Sequence, residues 1–250
     1  MIDLRLGRWQ DVLRDVECDV SVFDPPYSKR NLAGFRSGSD VKKRDLDFAI
    51  PYDAWTARQY HELLRWACSA TRHWLVLFSD HTGFRWAEAA AARAGWYTFA
   101  PVIWVKPDGP PLMAADGSAS SCEHILVARP KRSVEPLRRG SRKGWYLSRI
   151  VNGKSGDRVI VGSKPLDLVR AIVREYTLPG DLICDATAGS GTTLLAAAIE
   201  GRRAVGAECD PATFAKARAR IDRGYTPNLF ASGPRVRVDQ PSLTLGEAVL

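Results

Sequence analysis

Two short constellations in this sequence carry the residue types that do chemistry. Asp24-Pro25-Pro26-Tyr27 follows directly on the expected buried strand Val20 to Phe23. Prolines cannot donate to a sheet ladder and fix their own backbone, so the pair ends the strand at once and holds a carboxylate and a phenol in a rigid turn. Ligands bind at such carboxyl ends in open α/β sheets. Standing alone, the tetrad would read as a plain strand-terminating turn. The second constellation is Asp185-Ala186-Thr187-Ala188-Gly189-Ser190-Gly191-Thr192-Thr193, between a buried strand and a helix. Its small residues let a ligand approach the backbone and the positive end of the helix. A dinucleotide fingerprint would need a third glycine where Leu194 stands, and a phosphate loop would need Gly-Lys-Ser/Thr where Gly191 is followed by two threonines. Neither fits. Glu208 closes the next strand, 17 positions after Gly191, where a carboxylate would meet the two hydroxyls of a ribose. Cys209 follows it, and Asp210 before Pro211 reads as a helix cap.

The elements around these residues alternate strand and helix. Strands are expected near Ile2 to Leu6, Val20 to Phe23, Trp74 to Phe78, Trp96 to Val105, His124 to Ala128, Leu182 to Asp185 and Ala204 to Glu208. Helices are expected at Gln10 to Arg14, from an Asp53 N-cap to about Ala70, at Arg85 to Ala94, from Pro165 at N1 to Tyr176, at Ser190 to Glu200 and at Pro211 to Arg223. This alternation predicts an α/β fold with a doubly wound, mostly parallel sheet. Ser79, Asp80 and His81 also sit at a strand end, but a helix N-cap explains them equally well. The spacing predicts one domain over 1–225, with a mobile loop at 28–50, a basic insertion at about 107–160 and an extended or disordered tail at 226–250.

Composition narrows the partner. Thirty-six Lys and Arg against 28 Asp and Glu give a formal charge of +8, which favours a polyanion. From Arg129 to Arg158 ten basic residues stand against two acids, with Trp145 and Tyr146 among them. Basic residues interleaved with aromatics suit phosphate contacts plus base stacking, and a merely solvated basic loop is the alternative. Five scattered cysteines, without a Cys-x-x-Cys pair or a His at ligand spacing, suggest neither metal nor disulfides and fit a reducing compartment. No window approaches a membrane span, so a cytoplasmic protein is expected.

Taken in order, these motifs resemble the beta-class amino DNA methyltransferases of bacteria and phages. That family's pattern runs from an Asp/Asn/Ser-Pro-Pro-aromatic tetrad through a Lys-Pro helix and a glycine loop ending in Gly-Thr-Thr to an acidic strand end. Here they are Asp24-Pro25-Pro26-Tyr27, Lys164-Pro165, Ala188-Gly189-Ser190-Gly191-Thr192-Thr193 and Glu208. Trp104-Val105-Lys106-Pro107 and Glu123-His124-Ile125-Leu126-Val127 are weaker echoes. The resemblance spans about Asp3 to Arg223. It departs before the Lys-Pro pair, where the family usually has a His and this chain has Ile160-Val161-Gly162-Ser163.

The resemblance implies a Rossmann-like methyltransferase fold in circularly permuted motif order, with S-adenosyl-L-methionine as cofactor and no metal. It implies that Asp24 and the Pro25 carbonyl accept the amino protons of a flipped-out base, that Pro26 keeps the turn rigid and that Tyr27 stacks on the base. Phe23, Asp24, Ser163, Lys164, Pro165, Asp185, Ala186, Thr187, Gly189, Ser190, Gly191, Thr192, Thr193, Glu208 and Cys209 would hold the cofactor. Lys29, Arg30, Lys42, Lys43, Arg138, Arg139, Arg142, Lys143 and Trp145 would hold double-stranded DNA. Asp24 at the head of the tetrad tilts the expectation to N6 of adenine, because the family's N4-cytosine enzymes more often carry Ser there; N4 of cytosine is the alternative, ahead of RNA or protein-amide methylation and of an inactive DNA-binding homologue. Ring-carbon methylation needs a Pro-Cys nucleophile, and the residues before the five cysteines are Glu17, Ala67, Ser121, Ile183 and Glu208. The resemblance also raises a homodimer and a cognate restriction endonuclease as partners.

Overall fold

The last strands of the chain insert between the first two, and that single topological fact builds the site. In the computed structural model, which describes residues 1–29, 53–109, 121–131, 142–151, 160 and 162–224, the strands are β1 (Ile2–Leu6), β2 (Cys18–Phe23), β3 (Thr71–Ser79), β4 (Trp96–Thr98), β5 (Val102–Val105), β6 (Cys122–Pro130), β7 (Trp145–Leu147), β8 (Leu182–Asp185) and β9 (Arg203–Glu208). They form one sheet in the order β1-β9-β8-β2-β3-β6-β5-β7, with β4 pairing to β6. β6 runs antiparallel to β3, β4 and β5, while the pairings of β1 with β9, β9 with β8, β8 with β2, β2 with β3 and β5 with β7 are parallel.

Both sheet faces are covered, as the near-continuous apolar strands require. Alternate residues of β3 separate cleanly. Trp74, Val76 and Phe78 join a core with Leu168, Val169, Ile172, Val173 and Tyr176 of α4 (Leu166–Tyr176) and with Leu194, Ala196 and Ala197 of α5 (Thr192–Ile199). Leu75 and Leu77 face Tyr60, Leu63, Leu64 and Ala67 of α2 (Ala57–Ala70) and Phe84, Ala87, Ala90 and Ala91 of α3 (His81–Arg93). A single turn, α1 (Trp9–Val12), follows β1, and α6 (Pro211–Arg223) closes the described chain. Among the described residues no helix is long and apolar enough to cross a membrane.

The expected α/β fold is therefore the one adopted, with several boundaries moved. The helix expected from Asp53 starts one turn later, because Thr56, whose backbone N–H donates to Gln59 Oε1 at 2.9 Å, supplies a capping box closer to the apolar face. Pro165 is the N-cap of α4 rather than its first helical residue. The strand expected over Trp96 to Val105 breaks into β4 and β5 around Pro101, which has no N–H for the ladder. Short β7 emerges from the basic stretch, where no alternation is long enough to announce it. The loop expected at 28–50 lies outside the described residues beyond Lys29, as does the tail at 226–250.

Candidate active site

β8 and β2 pair side by side, with Ser21 opposite Cys184, so Asp24 and Asp185 leave the same end of adjacent strands. From β8 the chain passes through α5 to β9 on one side, and from β2 it passes through α2 to β3 on the other. The crevice between such diverging connections is where an open α/β sheet takes its ligand.

The turn after β2 is braced from both neighbours. Ser28 donates to Asp80 Oδ2 through its backbone N–H at 2.9 Å and its hydroxyl at 2.6 Å, and Asp80 Oδ1 accepts the Gly83 N–H at 2.6 Å. Asp80 thus caps α3, as its position allows, and pins the end of the tetrad with its other oxygen. Tyr60 donates its hydroxyl to the Pro26 carbonyl at 3.3 Å, and the Trp55 N–H reaches the Tyr27 carbonyl at 3.1 Å.

Inside this brace lies a chain of charges. Lys164 Nζ donates to Asp24 Oδ2 at 2.7 Å and lies 3.5 Å from Glu123 Oε2, while Lys106 Nζ donates to Glu123 Oε1 at 3.2 Å. The Tyr27 hydroxyl donates to Glu123 Oε2 at 2.5 Å. The Lys164 ammonium sits 5.1, 5.4 and 5.9 Å from the ring centroids of Tyr27, Phe78 and Trp104. Burial pushes the Asp24 carboxyl above its ordinary range against the pull of Lys164. Burial acts the same way on Glu123, but Lys164 and Lys106 together outweigh it and hold that carboxyl below its usual value. Tyr27 is raised well above the usual phenol by burial and by the two carboxylates. Asp24 Oδ1 is buried and has no hydrogen-bond partner among the described residues. A buried acceptor left unmade is costly, so this atom marks a place prepared for a donor.

The loop after β8 folds onto β9. Gly191 caps α5 at φ +73°, a left-handed conformation that favours glycine. Glu208 accepts the Gly189 N–H on Oε2 at 2.9 Å and the Asp210 N–H on Oε1 at 2.8 Å, and Asp210 in turn caps α6 by accepting the Thr213 N–H at 2.7 Å. Asp185 Oδ1 accepts the Thr187 N–H at 3.0 Å, and burial pushes its carboxyl up to about 7. Thr187 Oγ1 is buried without a partner among the described residues.

One cavity of about 390 Å³ joins the two constellations. Its wall takes Asp24 and Pro26 from the tetrad, Ser163 and Lys164 before α4, and Asp185, Ala186, Thr187, Gly189, Ser190, Thr192, Thr193, Glu208 and Cys209 from the glycine loop and β9. Phe23 lies instead in the core, its ring centroid 6.2 Å from that of Trp66. Pro25, Tyr27, Pro165 and Gly191, also expected at the site, are not among the residues that line the cavity. Sequence reasoning missed Gly7, Arg8, Trp9 and Gln10 after β1, and Trp55, Gln59 and Glu62 around the start of α2, which also line it. It also left Glu123 and Lys106 without roles and read Asp80 no further than a strand-end N-cap. The signal for the first two was present, since each lies in one of the weaker motif echoes beside a buried strand.

The basic residues divide. Lys29 and Lys143 are exposed, and Trp145 is 59% exposed. Arg142 packs its guanidinium 4.3 Å from the Trp74 ring centroid and donates to the Glu175 carbonyl, which ties it to the core. Tyr146 is buried and donates to Glu175 Oε2 at 2.6 Å. Arg30, Lys42, Lys43, Arg138 and Arg139 lie outside the described residues.

A family model described as DNA methylase matches residues 18–218, which include both constellations. The chain belongs to the N6/N4 DNA methylase family. Among curated methylases it is similar to the Type II methyltransferase M.XycI of Xanthomonas campestris pv. cyanopsidis, 28% identical over 160 residues. That match covers 60% of this chain and 53% of M.XycI, so the chain spans about half that relative's length. Two crystal structures share the methylase fold at low identity. The M1.HpyAVI–SAM complex superposes with a TM-score of 0.67 at 19% identity, covering 89% of this chain and all of the other (100%). The cytosine-N4-specific PvuII DNA methyltransferase superposes at 0.64 with 14% identity, covering 91% and 88%.

Proposed function

We propose that this chain transfers a methyl group from S-adenosyl-L-methionine to the exocyclic amine of a base flipped out of double-stranded DNA, and that the base is adenine, methylated at N6. The observation that carries the reading is the unpartnered Asp24 Oδ1, buried beside the cavity that the glycine loop also lines.

The residues present fit that cofactor. Glu208 has lone pairs left for a ribose diol, Thr187 Oγ1 is a buried hydroxyl awaiting a partner, and Gly189 admits a ligand to the backbone. When bound, S-adenosylmethionine supplies a methyl carbon activated by a positive sulfonium. The chain's part is to make a poor nucleophile competent. An exocyclic amine has its lone pair delocalised into the ring, and acceptors on both amino hydrogens favour the pyramidal form in which that pair is available. Asp24 Oδ1 accepts one hydrogen and the Pro25 carbonyl the other, and the bracing by Asp80 and Tyr60 means little reorganisation is needed in the transition state. Asp24, whose basicity burial raises, also takes the proton that the methylated nitrogen sheds. The Tyr27 ring receives the flipped base, offsetting part of an unstacking cost of a few kcal/mol. The charge of +8 and the exposed Lys29, Lys143 and Trp145 support duplex DNA as the polyanion. A homodimer, a cognate restriction endonuclease and a cytoplasmic setting follow from the resemblance.

N4 of cytosine is the second reading, since it presents the same amine and the PvuII enzyme shares the fold. Product analysis separates the two. The protein is incubated with labelled S-adenosylmethionine and unmethylated duplex DNA, with Asp24→Ala alongside, and the DNA is digested to nucleosides for mass spectrometry. N6-methyladenine absent from the variant is expected. N4-methylcytosine would keep the mechanism and replace the base, and no product with cofactor binding intact would overturn the reading.

A further inference from the structure

The tetrad's two ends, Asp24 and Tyr27, are tied together by a residue of β6, which lies beyond β3 from the strand that carries the tetrad. Glu123 stands at the start of antiparallel β6, opposite Trp104 of β5, and its side chain is only 15% exposed. Its two oxygens serve three donors. Oε1 takes Lys106, while Oε2 takes the Tyr27 hydroxyl and lies 3.5 Å from the Lys164 ammonium that holds Asp24. We propose that Glu123 is a positioning residue for the acceptor amine, fixing the Tyr27 ring through its hydroxyl and sharing the Lys164 charge so that Asp24 Oδ2 is held while Oδ1 stays available.

The inference deepens the methyltransfer reading and rests on it for the identity of the acceptor. With one carboxylate beside it, the Lys164 ammonium would be drawn wholly onto Asp24, and the carboxylate would become a weaker acceptor. With two, it is divided between Asp24 at 2.7 Å and Glu123 at 3.5 Å. The second cation, Lys106, balances the charge, so that two acids face two bases in a poorly hydrated space.

The test is Glu123→Gln, read in three ways. An amide has one acceptor oxygen and a donor group, so it cannot satisfy Tyr27 and Lys106 together, and it carries no charge to share. Kcat is expected to fall at least tenfold while the Kd for S-adenosylmethionine stays within twofold. The acid limb of the kcat–pH profile is expected to move to lower pH, since loss of a neighbouring negative charge favours ionised Asp24. The charged and titratable groups facing that carboxyl are Lys164, Glu123, Tyr27 and Asp185, and those facing Glu123 are Lys106, Lys164, Tyr27 and Asp24, with His124 beside it on β6. The third reading needs no turnover: the Asp24 carboxyl, carbon-13 labelled and assigned with Asp24→Asn, is titrated by NMR and is expected to move down in Glu123→Gln. A variant that melts earlier or turns over slowly with an unmoved Asp24 titration has lost packing only, and that overturns the proposal, as does wild-type kcat. If the wild type methylates no DNA but the Asp24 titration still moves, the methyltransfer reading falls and the positioning stands. Should Glu123→Gln not fold, Tyr27→Phe deletes only the hydroxyl that Glu123 accepts. A kcat lowered about tenfold with cofactor affinity retained supports the proposal, and wild-type kcat overturns it.

Discussion

Replacing Glu208 by Gln separates the role the structure shows for this carboxylate, bracing the loop, from the proposed one, holding a ribose. Its oxygens accept the Gly189 and Asp210 N–H groups at 2.9 and 2.8 Å, one on each oxygen. Gln keeps the shape but turns one oxygen into an NH2 group, so a donor faces a donor and one of the two backbone bonds is lost. A hydrogen bond to a charged group contributes about 1.5–3 kcal/mol, and the partial exposure of Glu208 places this loss at about 1–2 kcal/mol. For a chain of this size that is a drop in Tm of about 2–8 °C. The ribose hydroxyls would meet a neutral acceptor instead of a charged one. That difference, about 1.4–3 kcal/mol, corresponds to cofactor binding about 10- to 100-fold weaker. Isothermal titration with S-adenosylmethionine and a thermal melt measure both. A lowered Tm with unchanged Kd would leave Glu208 as a brace for the loop and refute ribose binding, and an unchanged Tm would refute the double-acceptor argument. Because burial raises the Glu208 carboxyl, affinity in the wild type should begin to weaken on acidification above the ordinary glutamate range.

Other perturbations test the surrounding parts. Gly206→Ala would place a Cβ 3.0 Å from the Asp185 carbonyl and 3.0 Å from a Leu194 methyl, forcing β9 from β8 at a cost of about 1–3 kcal/mol, seen as a lower Tm together with weaker cofactor binding. Asp185 holds its proton up to about pH 7 in the folded chain, against 3.8 ordinarily, so the stability it contributes is present below about pH 4 and lost as pH rises through about 7. Asp185→Asn should flatten that slope in melts recorded from pH 4 to 8, and an unchanged slope would remove Asp185 as its source. Trp145→Ala should leave Tm unchanged and weaken duplex binding in fluorescence anisotropy by roughly 1–3 kcal/mol if the ring stacks on a base, and no loss of affinity would remove it from the DNA surface.

The buried strands Val20 to Phe23 and Leu182 to Asp185 were legible in the sequence because burial on both faces keeps such runs predominantly apolar, with Ser21 and Asp185 their polar positions. So were the rigid Asp24 turn, the glycine loop and the acid at Glu208, because each depends on a local constraint: a missing N–H, a left-handed backbone, a strand end. Local constraints also fixed Asp210 as a cap, but at Asp53 the same reasoning failed, since Thr56 with Gln59 made the better box three residues on. What only the tertiary structure decided was adjacency. Nothing local says that β8 lies beside β2, that Gly7 to Gln10 after β1 reach the same cavity, or that Glu123 and Lys106 meet Tyr27 and Lys164. Strand order is set by which apolar faces the crossing helices can cover together, and a charged side chain beside a buried strand reads as solvent-facing until the fold supplies its counter-charge. The sequence by itself thus determined where the turn, the loop and the acid of the candidate site stand, and the packing of the sheet determined which groups surround them.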